Sequence, residues 1–517
     1  MADILDHRLT RKTRRKHNLH VTATNAQLYD QIWRTFETIR TTLDPQPTPG
    51  GRRRRLQPDE YATIVAARTE ERYESRKARL DWLANHLLEA TYQLVPHEHR
   101  KWGGNLVVDA TPVKAWGRYR FPGRSGGMSA DPDAGLYVRE PDQREEYSDV
   151  NNPILNKKKH RSAKYIWGWE AEFVVQTTND PFKPVDFPQL ILGMGFHKPS
   201  HAPAAHALQA FRSIAARGHK PGYIITDRLY FPSSNAEAFQ LPIRQLGYIP
   251  IHDYRIDQLG IQDQYGGANL IDGNWYCPSM PEALVNATAN YRAGRIDETT
   301  WRNYLERRNI YRVRNKERPD ADGSAPMMCP AAGPGATCAC PLKPQSLQKA
   351  ASTKVGVMIS IRKPPSNPDR ICRNKSSVEF PVNAGAKYWQ PLAHESREWR
   401  RWYSVCRNGN EGLNGDIKNP SKEQLAEPGR RRFRGYAAQY IVTAILAAAA
   451  NIRRIVTFLS DLKITAASGP GGHAAPRGNA SSTPDVIRKT RAKRRETTFA
   501  DFSGLTPGAE RSSGPPR

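Results

Sequence analysis

The chain has 517 residues, with 78 Lys plus Arg against 51 Asp plus Glu and a formal net charge of +27. That length allows about two to four domains, and 38% hydrophobic residues can fill a sizeable core. The charge points to a polyanionic partner, most simply DNA or RNA, whose phosphates bind cations with release of counterions; ribosomal or membrane-surface association is the alternative. The longest apolar run, 441–450 (IVTAILAAAA), is too short to span a bilayer, so no membrane segment is expected. The N-terminus is basic without an apolar signal core, which makes cytoplasmic, nucleoid-associated residence the expectation. Six cysteines in such a setting are expected to be reduced.

Residues 24–40 place Leu28, Tyr29, Ile32, Trp33, Phe36 and Ile39 on one helical stripe. Four arginines at 52–55 and Pro58 open a second helical pattern carrying Leu80, Leu83, Leu87 and Leu88. Residues 1–98 therefore read as a helical, basic region suited to DNA binding, with a solvated linker as the alternative for the arginines.

From residue 105 the pattern changes to strands. NLVVDATPV is an apolar run with Asp109 past its centre, as in a strand buried on both faces. After a Gly-rich and charged excursion over 115–160, runs at 164–176 and 189–196 complete a candidate meander. A helix over 202–218, a buried strand ending at Asp227, a helix over 235–246 and a strand over 248–252 follow. The predicted order is strand, strand, strand, helix, strand, helix, strand: an α/β, ribonuclease H-like mixed sheet. In that order the first and fourth strands are neighbours, bringing Asp109 and Asp227 side by side. A carboxylate in a buried strand costs several kcal/mol unless a cation or metal compensates it.

Residues 253–397 break the alternation and hold Cys277, Cys329, Cys338, Cys340 and Cys372. Cys329, Cys338, Cys340 and Cys372 are candidate ligands for structural Zn²⁺. No CxxC is present, so reduced, unligated thiols are the favoured state. Residues 398–463 read as helices packed on the sheet, and 464–517 as a disordered basic tail. Trp399 and Trp402 read as core residues of the first of these helices, and Cys406 as another.

In that helix Arg407, Glu411 and Lys418 share a face, Arg407 and Lys418 falling roughly 40° and 20° from Glu411 at about 100° per residue. An exposed ion-pair ladder is the simple reading. With Asp109 and Asp227 it becomes a third acid. Two or three converging carboxylates can hold a Mg²⁺ pair, one ion activating the attacking oxygen and the other stabilising the leaving oxygen at phosphorus.

On these residues the chain resembles the DDE transposases of bacterial insertion sequences, in the group whose third acid sits in a Y-x2-R-x3-E-x6-K signature. Arg407-x3-Glu411-x6-Lys418 matches it, and Tyr403 stands one residue upstream of the family spacing. Asp109 in DATP and Asp227 in ITDRLY match the first two acids, and the match covers roughly residues 100–460. The resemblance implies metal-dependent cleavage at element ends and strand transfer into target DNA. Asp109, Asp227 and Glu411 would bind two Mg²⁺, with Mn²⁺ as a substitute, and two chains would pair the element ends as a homodimer. Arg407 and Lys418 are the implied phosphate contacts, with stabilisation of Glu411 as the alternative; Tyr403 is a DNA-contact candidate by its place in the signature, and Lys114, Arg118 and Arg228 by their nearness to the acids, with a solvated surface role the alternative for these last three. A structure-specific nuclease or resolvase, or a noncatalytic DNA-binding derivative, are the alternatives.

Overall fold

The apolar runs form a six-stranded mixed sheet: β1 (Leu106–Lys114), β2 (Gly135–Arg139), β3 (Lys164–Gln176), β4 (Ile191–His197), β5 (Tyr223–Thr226) and β6 (Ile249–His252). This computed structural model describes residues 70–117, 119, 131, 133–139, 164–320, 323–333, 335–347, 358–359, 366–373 and 377–467. The helix expected over 24–40, the arginines at 52–55, Pro58, Arg118 and the basic run in the tail lie outside them. The chain divides into two units, 1–458 and 459–517, and the sheets and sites described below belong to the first.

β3 is the long central strand. It runs antiparallel to β1, to β4 and, through its first residues, to β2. β5 is parallel to β1, and β6 to β5. The meander and the two parallel strands thus follow the predicted order, while β2 arises in the 115–160 excursion, where no element was expected.

Five longer helices accompany the sheets: α1 (Glu70–Tyr92), α2 (Pro203–Ala216), α3 (Glu298–Arg308), α4 (Arg397–Lys418) and α5 (Tyr436–Ala467). Alternation along the strands separates two cores. Val107, Phe173, Val175, Ile225 and Ile251 pack with Ala84 and Leu88 of α1, Trp402 and Leu413 of α4, and Tyr440 and Ala444 of α5. Leu106, Val108, Val174 and Ile224 pack on the other face with Phe211 and Ile214 of α2. The leucine pattern of α1, grouped by sequence with the basic N-terminal region, is therefore part of the sheet's cover. The glycines of β4 allow close helix packing: a Cβ on Gly195 would stand 2.9 Å from the Cβ of His206 on α2.

The expected apolar helix near the C-terminus is α5. Its stretch Tyr436–Ile464 is long and apolar enough to cross a membrane by length and composition; the face bearing Tyr440, Ala444, Ala447 and Ala450 is buried in the main core.

The 253–397 insertion has regular structure of its own. Strands β7 (Ile261–Tyr265), β8 (Ala268–Ile271) and β9 (Asn274–Tyr276) form one antiparallel sheet, and β10 (Arg314–Asn315), β11 (Ala325–Met328) and β12 (Val378–Phe380) another. Its core is separate from the other two and contains five cysteines. A buried pair, Arg308 to Asp272 at 2.6 Å, ties α3 to the turn after β8.

Candidate active site

The parallel strands align three aspartates. β1 pairs with β5 at Leu106↔Ile224 and Val107↔Ile225, an offset of 118 (224 minus 106), and the same offset carries Asp109 to Asp227. β5 pairs with β6 at Thr226↔His252, an offset of 26 (252 minus 226), which carries Asp227 to Asp253. On β1 and β5 the residues at alternate positions before them, Val107 and Ile225, belong to the core beneath α4. Asp109 and Asp227 therefore face the helix that bears Glu411.

α4 begins at Ser396, whose hydroxyl accepts the Trp399 amide at 3.2 Å, an N-cap that fixes where the helix starts. Its buried stripe runs Trp399, Trp402, Cys406, Asn410, Leu413 and Ile417, at spacings of three and four. Burial of each large apolar member contributes roughly 2 kcal/mol. That outweighs the roughly 1 kcal/mol per glycine that Gly409, Gly412 and Gly415 cost the helix. Trp399 donates to Gln390 at 2.8 Å, and Trp402 packs on Tyr223 with ring centroids 4.9 Å apart, so both tryptophans are core residues.

The stripe beside it meets the acids. Arg407 Nη1 lies 3.5 Å from Asp109 Oδ1, and its Nη2 lies 3.7 Å from Glu411 Oε1. Asn414 Nδ2 donates to Asp109 Oδ2 at 3.4 Å. Asp227 accepts the Leu229 amide at 2.8 Å, a turn that holds its carboxylate at the strand end. Burial first, and then the neighbouring Asp109 charge, push Asp227 up to about 6, while Arg407 opposes the rise. Arg407 itself is held above its ordinary range: burial works against its charge, but Asp109 leads the groups that more than offset this. Glu411 is 62% exposed at its side chain, whereas Asp109 is 18% exposed.

Tyr403 joins the same stripe. Its displacement from the family spacing puts it four residues before Arg407, hence on the same helical face, stacked on Trp399 with ring centroids 4.7 Å apart. Burial, and next the Asp253 charge, raise its hydroxyl pKa. Lys418 is the last residue of α4. Lys114 ends β1, is exposed, and its carbonyl accepts from Arg431 at 3.2 Å. Arg228 points elsewhere: its Nε and Nη2 both lie 2.9 Å from Asp253 Oδ2, so the arginine beside Asp227 is engaged in an ion pair.

Sequence reasoning missed Asp253. Besides Arg228 it accepts from Arg292 at 2.9 Å, from the Tyr254 amide at 2.8 Å, and pairs with His394 Nε2 at 2.9 Å. Burial would raise its carboxyl, yet the His394 hydrogen bond and the Arg292 and Arg228 charges hold it far below the usual carboxylate range. The signal was present, because IPIH followed by Asp253 repeats the apolar-run-then-Asp pattern of YIIT followed by Asp227. Also missed was Glu172 of β3, fully buried, which pairs with His197 at 2.8 Å and accepts from the Tyr230 hydroxyl. Tyr230 belongs to the core on the α2 side of the sheet.

Among the described residues, Asp253, His394 and Glu395 are the group whose ligand atoms all lie within 4.8 Å of one another. They could share a metal by distance. Their oxygens are already taken by guanidinium groups: Arg292 reaches both carboxylates at 2.9 and 3.2 Å, Arg228 reaches Asp253, and Arg400 reaches Glu395 at 2.9 Å. Asp109, Asp227 and Glu411 are spaced more widely, around Arg407. Their donor set of carboxylate oxygens, with a buried, unpartnered Asn414 Oδ1 adjoining Asp109, suits a hard divalent cation.

No protein-family model, no curated protein and no solved structure matches this chain.

Proposed function

We propose that this chain is a DDE transposase with a ribonuclease H-like core, cutting DNA at the ends of an insertion element and joining those ends to target DNA. One observation carries the reading: Asp109 of β1 and Asp227, directly after its parallel neighbour β5, stand at the same register, beside a helix whose Arg407 reaches both Asp109 and Glu411. The order β4-β3-β1-β5-β6, three antiparallel strands followed by two parallel ones, with β2 added along β3, supports that reading of the core.

Asp109, Asp227 and Glu411 are the residues that would hold Mg²⁺, and a bound pair of ions supplies an activated attacking oxygen and a stabilised leaving oxygen. Around them the chain's own groups position DNA. Arg407 neutralises Asp109 and Glu411, and its guanidinium can donate to a phosphate brought against those acids. Gly412 and Gly415 support close approach: both are exposed, and a Cβ on either would meet no atom of the chain within 4 Å. Among the described residues no packing against another element requires their smallness; a polynucleotide backbone lying against Glu411 would. The basic balance of the whole chain fits the same polyanion.

The test uses purified protein with DNA from the flanks of its own gene. Mg²⁺-dependent nicking is expected, lost in Asp109→Ala, Asp227→Ala and Glu411→Ala while DNA binding persists. Joined products distinguish a transposase from a nuclease of the same fold. Cleavage surviving any one of the three substitutions removes that residue from the site, and DNA binding without any cleavage defeats the proposal.

A further inference from the structure

The five cysteines of the insertion come from separate stretches of chain and converge in one core, all buried and none in a disulfide. Three of them open the same local structure. Cys277-Pro278, Cys329-Pro330 and Cys340-Pro341 each begin a turn in which the amide of the fourth residue donates to the cysteine carbonyl: Met280 at 3.1 Å, Ala332 at 2.9 Å and Lys343 at 2.9 Å. Proline in second place presets φ for such a turn. Burial raises the pKa of all four of the thiols at 277, 329, 340 and 372, and at the first three the backbone amide of the third turn residue, Ser279, Ala331 or Leu342, opposes that rise. A thiol packed as a small hydrophobe needs no such donor. A thiolate does, because hydrogen bonds to the charged form stabilise it.

The fourth sulfur is supplied by Cys372, in the short helix Arg370–Arg373. The four sulfurs lie in one buried core, where Cys277 has Cys329, Cys340 and Cys372 as electrostatic neighbours, Cys372 has Cys329 and Cys340, and Cys329 has Cys340. Cys338 shares the core and has Cys329 and Cys340 as its leading sulfur neighbours, but it opens no Cys-Pro turn. Buried Lys343, 9% exposed, adjoins Cys329, Cys340 and Cys372, and Arg314 adjoins Cys329. Those cations suit a centre of four thiolates and one dication, which carries two net negative charges.

We propose that Cys277, Cys329, Cys340 and Cys372 form a structural four-cysteine Zn²⁺ site that closes the insertion. Cys277 thereby replaces Cys338 in the set drawn from spacing alone. Zinc at about 2.3 Å from each sulfur draws the turns inward, since no three of these sulfurs stand within 4.8 Å of one another. Binding displaces a proton from each thiol, Zn²⁺ plus four thiols giving the tetrathiolate centre and four protons. Strands of two to five residues leave the insertion short of regular hydrogen bonding, and metal ligation adds folding free energy there.

The experiment uses the full-length chain, purified without chelator and then re-equilibrated with zinc. About one zinc per chain is expected by atomic emission, and cobalt in its place should show the visible spectrum of a tetrahedral thiolate centre. Chelation should lower the melting temperature, stoichiometric zinc should restore it, and four thiols should become newly reactive to Ellman's reagent. Cys338→Ser should keep its zinc, and Cys277→Ser should lose it; should Cys277→Ser not fold, the chelation and restoration of the unaltered chain decide. The proposal is overturned if the folded chain binds less than about a tenth of an equivalent of zinc with a melting temperature indifferent to it. It is equally overturned if Cys338→Ser loses zinc as completely as Cys277→Ser.

Discussion

Asp227→Asn should make the metal-free protein more stable while abolishing cleavage. The carboxyl of Asp227 rises from its ordinary 3.8 to about 6, through burial and then the adjacent Asp109 charge. The folded chain therefore holds this proton more tightly than the unfolded chain between about pH 4 and pH 6, and stability falls as pH rises through that window. The difference of about 2.2 in pKa, at 1.36 kcal/mol each, amounts to about 3 kcal/mol lost by pH 7. Asparagine keeps an oxygen for the Leu229 amide and offers Asp109 a donor in place of a like charge. In urea denaturation with EDTA, the variant should match the original chain near pH 4 and exceed it by about 3 kcal/mol near pH 7.5. Added Mg²⁺ should stabilise the original chain and leave the variant nearly unchanged. Equal stability near pH 7.5, or a difference independent of pH, would refute the reasoning that Asp227 and Asp109 form a strained acidic pair.

Replacing Gly412 and Gly415 together by alanine should stabilise the protein by about 1 kcal/mol per site while weakening DNA binding and nicking; a double variant that is more stable and fully active would deny the close approach. Lys418→Ala should weaken binding to element ends and reduce the salt slope by about one; an unchanged slope in binding titrations would count against a phosphate contact. Arg292→Ala removes one of the cations on Asp253 and should cost about 2 kcal/mol. Because the Asp253 carboxyl sits far below its usual range, the stability it contributes is present above the ordinary carboxylate range and lost as pH falls. The variant's deficit should therefore shrink in acid, as read from denaturation midpoints across pH.

The strands that build the site were legible because each is an apolar run with a misplaced acid. A carboxylate following Val107-Val108 or Ile225-Thr226 has few structural reasons to be there, and the parallel pairing of β1 and β5 accounts for both at once. Asp253 was passed over although its setting has the same form, since a motif draws the eye to named spacings and Asp253 belongs to none. Tyr403 looked misaligned when counted against a signature. On a helix the extra residue converts a three-residue step into a four-residue one, and both keep a side chain on the same face. The choice of Cys277 over Cys338 proposed above rests on the Cys-Pro pairs at 277, 329 and 340, which are visible in the sequence, while the convergence of their turns depends on the insertion's fold. β2 was not legible, because its five residues take their strand character from pairing along β3 rather than from apolar alternation.

What joins fold to function here is the looseness of Arg407. Charge-assisted hydrogen bonds between guanidinium and carboxylate normally close to about 2.7–2.9 Å. Arg292 and Arg228 do close to 2.9 Å on Asp253, so the chain can build tight pairs a single strand away. Arg407 stays 3.5 Å from Asp109 and 3.7 Å from Glu411, and its Nη1, though buried, has no hydrogen-bond partner. A pair selected for stability alone would look like Asp253. The Arg407 arrangement neutralises the acids without saturating their oxygens. It leaves Asp109 held by one long bond from Asn414, and Asp227 by a single backbone amide. The remaining lone pairs on that level are what a hard cation takes, and the guanidinium beside them is what a phosphate takes. On the proposed function, that same looseness keeps both sets of groups available to a cation and to a phosphate.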